Sequence, residues 1–330
     1  MSRHLDVLLL LALPASGKSE ARTFIASLDP AECERDLGIG ETVQLDDFPY
    51  VHLMRRVSDE LTARGHEGAF FLSPALPFRD PRDWGTLIEL LNEDYHDVVA
   101  REHHAPENAA QWLFSRLDRA RDLVGAPLIF QGMDLELRAE LARALEDECR
   151  DLLEKKNAAI PGSLDGKTVV IEFARGGADG SPLPLPAPYG YRHSLSRLAP
   201  EILDRAAILY IWVTPEDSRR KNDERTDPDD PGSILNHGVP NAVMYGDYGC
   251  DDMAWLLETS DRPHTVRVER DGRTWHLPVA RFDNREDLTT FVRDDRGQWS
   301  PADTDRLRQG LAGAFAELHA AREATDPADR

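Results

Sequence analysis

The chain predicts an α/β protein, a doubly wound and mostly parallel sheet carrying a large helical insertion. Three observations carry that prediction. Short apolar runs at 7–13, 42–45, 168–173 and 206–213 alternate with segments of helical periodicity. The first run opens into a glycine-lysine-serine loop backed by an amphipathic helix. Residues 50–160 repeat apolar positions at helical spacing. Ligands of open α/β sheets bind beyond the carboxyl ends of the strands, so the residues just after each run matter most.

The first run stops at Leu13, and Pro14, Ala15, Ser16, Gly17, Lys18 and Ser19 follow. This reads as a buried strand feeding the phosphate-binding loop, or Walker A, pattern G-x-x-x-x-G-K-[ST]. Backbone N–H groups of such a loop wrap phosphates, and the next helix offers its positive N-terminal end. Lys18 is placed to reach the β- and γ-phosphates, and Ser19 to put its hydroxyl on Mg²⁺. Ala12 stands where the pattern has its first glycine. Ala21, Phe24, Ile25 and Leu28 form the buried face of the helix behind, which Pro30 stops.

The second strand, 42–45, ends in Asp46-Asp47-Phe48. Residues 50–64 place Val51, Met54, Val57 and Leu61 on one helical face, and the proline-broken segment 70–78 predicts a loop packed on the core. Three more helical stripes follow, starting at Trp84, Leu113 and Leu137. Trp84 and Trp112 fit helix core positions. Segment 127–131 fits either a short strand or a buried turn. TVVIEF at 168–173 is β-branched and predicts a buried strand. Alternating prolines at 182, 184, 186 and 188 predict an extended loop. Strand 206–213 leads into Thr214-Pro215-Glu216-Asp217, a helix start with a Thr cap. Residues 227–232 read as a turn-rich connection. Asp271-Gly272 between 266–269 and 274–277 predicts a hairpin, Asn284 a helix cap, and Leu307, Leu311, Phe315 and Leu318 a last helix. The predicted organisation is a core of 1–49 and 165–295, a helical insertion at 50–164, and a C-terminal helix at 296–330.

Charge narrows the classes of partner. The chain of 330 residues carries 39 basic and 60 acidic side chains, a net charge of −21. Such a surface repels phosphate backbones and argues against nucleic-acid binding. Three widely spaced cysteines, Cys33, Cys149 and Cys250, predict reduced thiols in a cytoplasm rather than a disulfide framework. The first apolar run is too short to cross a membrane, and it lacks a signal-peptide cleavage site. His103-His104 has no second set of ligands for a metal. Tyr189, Tyr191, Arg192 and His193 fit either an anchored loop or a substrate contact. Residues 236–240 and 245–249 have the composition of a pocket lining, or of ordinary loops.

The strand ends collect chemistry. After the phosphate loop come Asp46 and Asp47, then Glu172 and Arg175, then Arg219, Arg220, Lys221 and Arg225. Acids and a basic cluster around a phosphate loop are the parts of a phosphoryl-transfer site. Each acid also has a structural reading, as a turn residue or an ion-pair partner, and the arginines also fit a solvated helix face.

The chain resembles the P-loop kinases of nucleosides, nucleotides and small metabolites. QLDDFPY is similar to the strand-end segment of the uridine kinase, phosphoribulokinase and glycerate kinase families, which makes Asp46 or Asp47 the aspartate facing an acceptor hydroxyl. VVIEFAR is similar to the strand-Asp-Gly-Phe-Pro-Arg segment of nucleoside monophosphate kinases such as adenylate kinase, with Glu172 for the acid and Arg175 for the arginine, one residue shorter. TPEDSRRKNDER is similar to the lid of this group, with Arg219 or Arg220 and Arg225 as lid arginines. The resemblance implies a P-loop NTPase-type fold and ATP as phosphoryl donor. It implies Mg²⁺ held by Ser19 with Glu172 or Asp46, and a small hydroxyl acceptor selected by the insertion. Two other readings stay open. One is an NTP hydrolase or switch, for which Gln131 and Asp134 are the residues to examine. The other is a kinase of a modified nucleic acid or a nucleotide-binding scaffold without turnover.

Overall fold

The computed structural model describes residues 4–225 and 238–325. Strand β1 (Val7–Leu11) leads through a loop to α1 (Lys18–Ser27). A short helix, α2 (Pro30–Glu32), and a π-helical turn precede β2 (Glu41–Asp46). Helices α3 (Phe48–Ala63), α4 (Asp83–Ala100), α5 (Ala109–Leu123) and α6 (Leu135–Ala159) then separate β2 from β3 (Lys167–Phe173). Helices α7 (Gly190–Arg197) and α8 (Pro200–Leu203) lead to β4 (Ala206–Trp212). After α9 (Pro215–Arg225), α10 (Asn241–Gly246) and α11 (Met253–Thr259), β5 (Thr265–Arg270) and β6 (Arg273–Asp283) form a hairpin, and α12 (Pro301–Ala324) ends the fold.

The strands make one α/β sheet in the order β2-β3-β1-β4-β6-β5. All neighbours are parallel except β5 and β6. The hairpin turns at Asp271 and Gly272, whose φ values of 50° and 77° suit a tight primed turn. Every residue of β1 is buried, as expected of a central parallel strand covered on both faces. Leu9, Val43, Ile88, Tyr95, Ile171 and Ile208 pack on one face beneath α4, α7 and α8. Leu8, Leu10, Phe24, Ile25, Leu209 and Phe315 pack on the other beneath α1 and α12. Strand register sets Asp46 beside Glu172, so the ends of β2 and β3 present two acids to the same space.

Helices α3–α6 bury a core of their own, including Leu53, Met54, Leu87, Leu113 and Leu145. That core reaches Leu13 at the end of the first strand and Tyr248 after α10. Segment 127–131 is a turn: the Asp118 carboxylate accepts the N–H groups of Ile129, Phe130 and Gln131, which removes the need for a strand partner. Thr214 caps α9 through Asp217 N–H at 3.1 Å. The predicted connection at 227–232 lies outside the described residues. Among the described residues no helix is long and apolar enough to cross a membrane.

A buried ionic knot ties α3–α6 together. Arg116, 2% exposed, donates to Asp94 at 2.7 Å and to Glu93. Lys156 and the Tyr50 hydroxyl also donate to Asp94. Burial opposes ionisation of Asp94, but Lys156 and Arg116 outweigh it and hold the carboxyl below its usual range. Removing one member strands the others without water. Arg116→Met should therefore cost about 3–5 kcal/mol in urea unfolding. A loss below about 1 kcal/mol would show that the knot is solvated.

Candidate active site

Between β1 and α1 the chain wraps residues 12–17 into a loop with two left-handed positions, Ala15 at φ 56° and Gly17 at φ 92°. Gly17 has no substitute: a Cβ there would lie 2.2 Å from Thr289 Oγ1 and 2.4 Å from Asn284 Nδ2. The loop carbonyls are pinned from outside. The Tyr191 hydroxyl donates to Ala12 O at 2.9 Å, Ser218 Oγ to Pro14 O at 2.7 Å, and Asn284 Nδ2 to Ser16 O at 2.7 Å. Within the loop, Ser16 Oγ donates to Leu13 O at 2.8 Å. A trans peptide points its N–H opposite its C=O, so pinning Pro14 O and Ser16 O turns the N–H groups of Ala15 and Gly17 away from those partners. Among the described residues, the N–H groups of Ala15, Ser16 and Gly17 have no backbone partner. The loop is thus an array of free donors at a helix N-terminus, the arrangement that binds anions.

The acids of the neighbouring strands meet this loop. Lys18 Nζ donates to Glu172 Oε1 at 2.5 Å, and Ser19 Oγ lies 3.5 Å from the same oxygen. Arg22, one turn after Lys18 on α1, places Nη1 3.0 Å from Glu172 Oε2 and 3.6 Å from Asp46 Oδ2. Burial works against the Glu172 charge, yet Lys18 and Arg22 together hold its carboxyl below the usual range. Asp46 goes the other way. Burial, and then the Glu172 and Asp47 charges, push it up to about 6. Its Oδ1 accepts Phe48 N–H at 2.8 Å. Asp47 instead receives Arg175 Nη1 at 2.7 Å.

Pro14–Ser19, Asp46, Asp47 and Glu172 line one cavity of about 170 Å³. Beyond them the lining continues through Phe48, Val51 and Arg55 of α3, then Phe71, Phe78 and Trp84, and finally Val243, Asp247 and Tyr248. Trp84 is buried, as its helix position predicts, but it also forms part of this wall. Val239 and Pro240 line it as well; Asn236 and His237 lie outside the described residues.

Other predicted residues stand apart from the cavity lining. Arg175 is buried behind Asp47, between the Trp84 and Phe173 rings at 5.0 and 5.1 Å. Arg219 stacks over Tyr245 at 4.8 Å, and its buried Nη1 has no hydrogen-bond partner among the described residues. Arg220 is paired with Asp217 and Glu224 on an exposed face. The Arg225 side chain lies outside the described residues. Gln131 and Asp134 are exposed, and Asp134 caps α6. Tyr191 is the anchor of a loop, the one between β1 and α1.

Sequence reasoning missed Arg22, Ser218 and the loop-holding role of Asn284, whereas Asp247 and Tyr248 fall within the segment 245–249 read as a pocket lining or an ordinary loop. Arg22 was findable as the i+4 neighbour of Lys18. Asn284 directly follows β6, so the strand-end rule reaches it. It caps locally, accepting Leu288 N–H at 2.7 Å, and also holds the loop. No family model, no curated protein and no solved structure matches this chain.

The raised Asp46 pKa has a sign for stability. A carboxyl at about 6 when folded and near 3.9 when unfolded costs folding free energy once ionised. The cost is absent below about pH 4, grows between pH 4 and 6, and is complete above that window. Asp46→Asn should therefore raise the urea midpoint at pH 7.5 and leave it nearly unchanged at pH 4. A lower midpoint at pH 7.5 would mean that the charge is stabilising there.

Proposed function

We propose that this chain is a P-loop kinase, an ATP- and Mg²⁺-dependent phosphotransferase that moves a γ-phosphoryl group to a hydroxyl of a small molecule. The observation that carries this reading is the convergence of Lys18 and Ser19 with Glu172 and Asp46 at one end of the sheet, in a cavity that extends past them. The strand order supports it too: β3 lies between β1 and β2, so a carboxylate from β3 stands beside the loop that follows β1.

On this reading the free loop amides and Lys18 hold the β- and γ-phosphates. Ser19 and Glu172 would offer oxygens to a hydrated Mg²⁺, which leaves Asp46 free for the acceptor. Glu172 Oε2 has Arg22 Nη1 at 3.0 Å as its ion-pair partner, and the carboxylate is thereby held charged beside Ser19. No group of three His, Cys, Asp or Glu side chains suited to a metal converges among the described residues, so phosphate oxygens and water would complete the shell. Bound there, Mg²⁺ neutralises charge on the triphosphate. The acceptor oxygen attacks the γ-phosphorus, the bond to the β,γ-bridging oxygen breaks, and ADP leaves with that electron pair. Asp46 takes the hydroxyl proton. It suits this role better than Asp47, because Arg175 occupies Asp47 and because a pKa of about 6 leaves Asp46 ionised yet basic at neutral pH. Three free cysteines suit a reducing compartment, and we place the protein in the cytoplasm.

Three measurements test this. Lys18→Ala should weaken binding of a fluorescent ATP analogue at least about 100-fold, the scale of losing a charged contact to phosphate. Asp46→Asn should keep that affinity within about threefold while lowering transfer about 10²- to 10⁴-fold. The wild-type kcat/KM should fall about tenfold per pH unit below about 6, where Asp46 protonates. ATP consumption that ignores every hydroxyl acceptor would replace transfer by hydrolysis.

A further inference from the structure

The half of the cavity beyond the phosphate loop has a composition that names its occupant. Its walls are rings. Phe78 meets Trp84 edge-on at 4.9 Å, and Trp84 meets Tyr248 at 5.5 Å. Flat or apolar groups gain from such surfaces through burial and ring-ring geometry.

The charges of the lining separate into two kinds. Glu172 is paired with Lys18 and Arg22, Asp46 with Arg22, Asp47 with Arg175, and Glu20 with Arg293. Asp247 is different. It is 4% exposed, faces the same cavity, and among the described residues has no ion-pair partner. Trp84 lies beside it and favours its charged form. Burial pushes its carboxyl up to about 6, so the group is costly to keep charged and gains when a donor arrives. Arg55 is the cation of this half, and it is engaged. It lies over the Phe71 ring at 4.2 Å and donates to Pro74 O at 2.9 Å. A phosphate on the acceptor would need several free cations or amides here, and it would sit near the unpaired Asp247 charge.

Resting on the kinase reading above, we propose that the acceptor is an unphosphorylated hydroxyl compound. Its flat or apolar body seats against Phe78, Trp84 and Tyr248, and its N–H, O–H or ammonium donor is held by Asp247. Asp247 is a specificity residue, distinct from the groups that handle the phosphates. A site with a buried acceptor oxygen rejects analogues that lack the donor, because the carboxylate is then left unsatisfied.

The test uses the full chain and three probe sets. Cytidine, tyramine and pyridoxamine represent ring-bearing hydroxyl compounds with a nitrogen donor. Cytidine 5′-monophosphate and pyridoxamine 5′-phosphate represent phosphorylated counterparts. Glycerol and ribose represent ring-free hydroxyl compounds. Binding is read by calorimetry without nucleotide, and transfer by mass gain with MgATP. At least one member of the first set should bind, with the other two sets at least tenfold weaker. Asp247→Asn should weaken that binding about 10- to 100-fold, the scale of a charged hydrogen bond, with ATP-analogue affinity unchanged. Trp84→Phe keeps a ring and removes the indole N–H, so it reports on the same wall if Asp247→Asn fails to fold. The inference is overturned if phosphorylated or ring-free probes bind as tightly, if no ring-bearing probe binds, or if both folded variants bind like wild type. Ring-bearing probes that bind in a protein indifferent to ATP would leave the acceptor chemistry standing and remove the kinase reading.

Discussion

Glu172 is a carboxylate buried at the end of a central strand, and much of the site follows from keeping it charged there. Burial alone would protonate it; two cations from one face of α1 prevent that. Lys18 and Arg22 are one turn apart, so reaching a single carboxylate fixes how α1 is rotated against β3. That rotation sets where the preceding loop must begin its turn. It also makes the charges of the site interdependent. Arg22, the second partner of Glu172, is shared with Asp46, so one cation serves two acids.

The helices between β2 and β3 complete the site from the other side. Their core is continuous with Leu13 and Tyr248, so the ring-lined wall is an extension of packed interior and inherits its rigidity. The knot of Tyr50, Asp94, Arg116 and Lys156 sits within these helices. Tyr50 lies on α3 close after Phe48, Asp46 and Asp47, so the order of the knot bears on the position of the strand-end acids.

What the sequence made legible was local. β1 and its loop, the TVVIEF strand, the Thr214 cap and the Asp271-Gly272 hairpin each depend on residues within a few positions of one another, and each lies where its pattern places it. Asp46 and Glu172 were legible as strand-end acids because a parallel sheet aligns its carboxyl ends. The rest depended on distant partners. Nothing near Tyr191 announces that its hydroxyl reaches Ala12, and nothing near Ser218 announces Pro14. Arg175 carried the right residue type for a phosphate contact, but burial between two rings gave it to Asp47 instead. Segment 127–131 was ambiguous for the same reason: the acid that satisfies its N–H groups comes from the middle of α5.

The braces of the loop between β1 and α1 also bear on the order in which the protein reaches its final shape during synthesis. The loop residues precede all three of their braces, and Tyr191, Ser218 and Asn284 hold them in that order along the chain. A nascent chain can form β1 and α1 early, but its loop carbonyls lack their last support until β6 has emerged and joined the sheet. The loop therefore takes its final shape only after the 268 positions that separate Ser16 from Asn284 have been added.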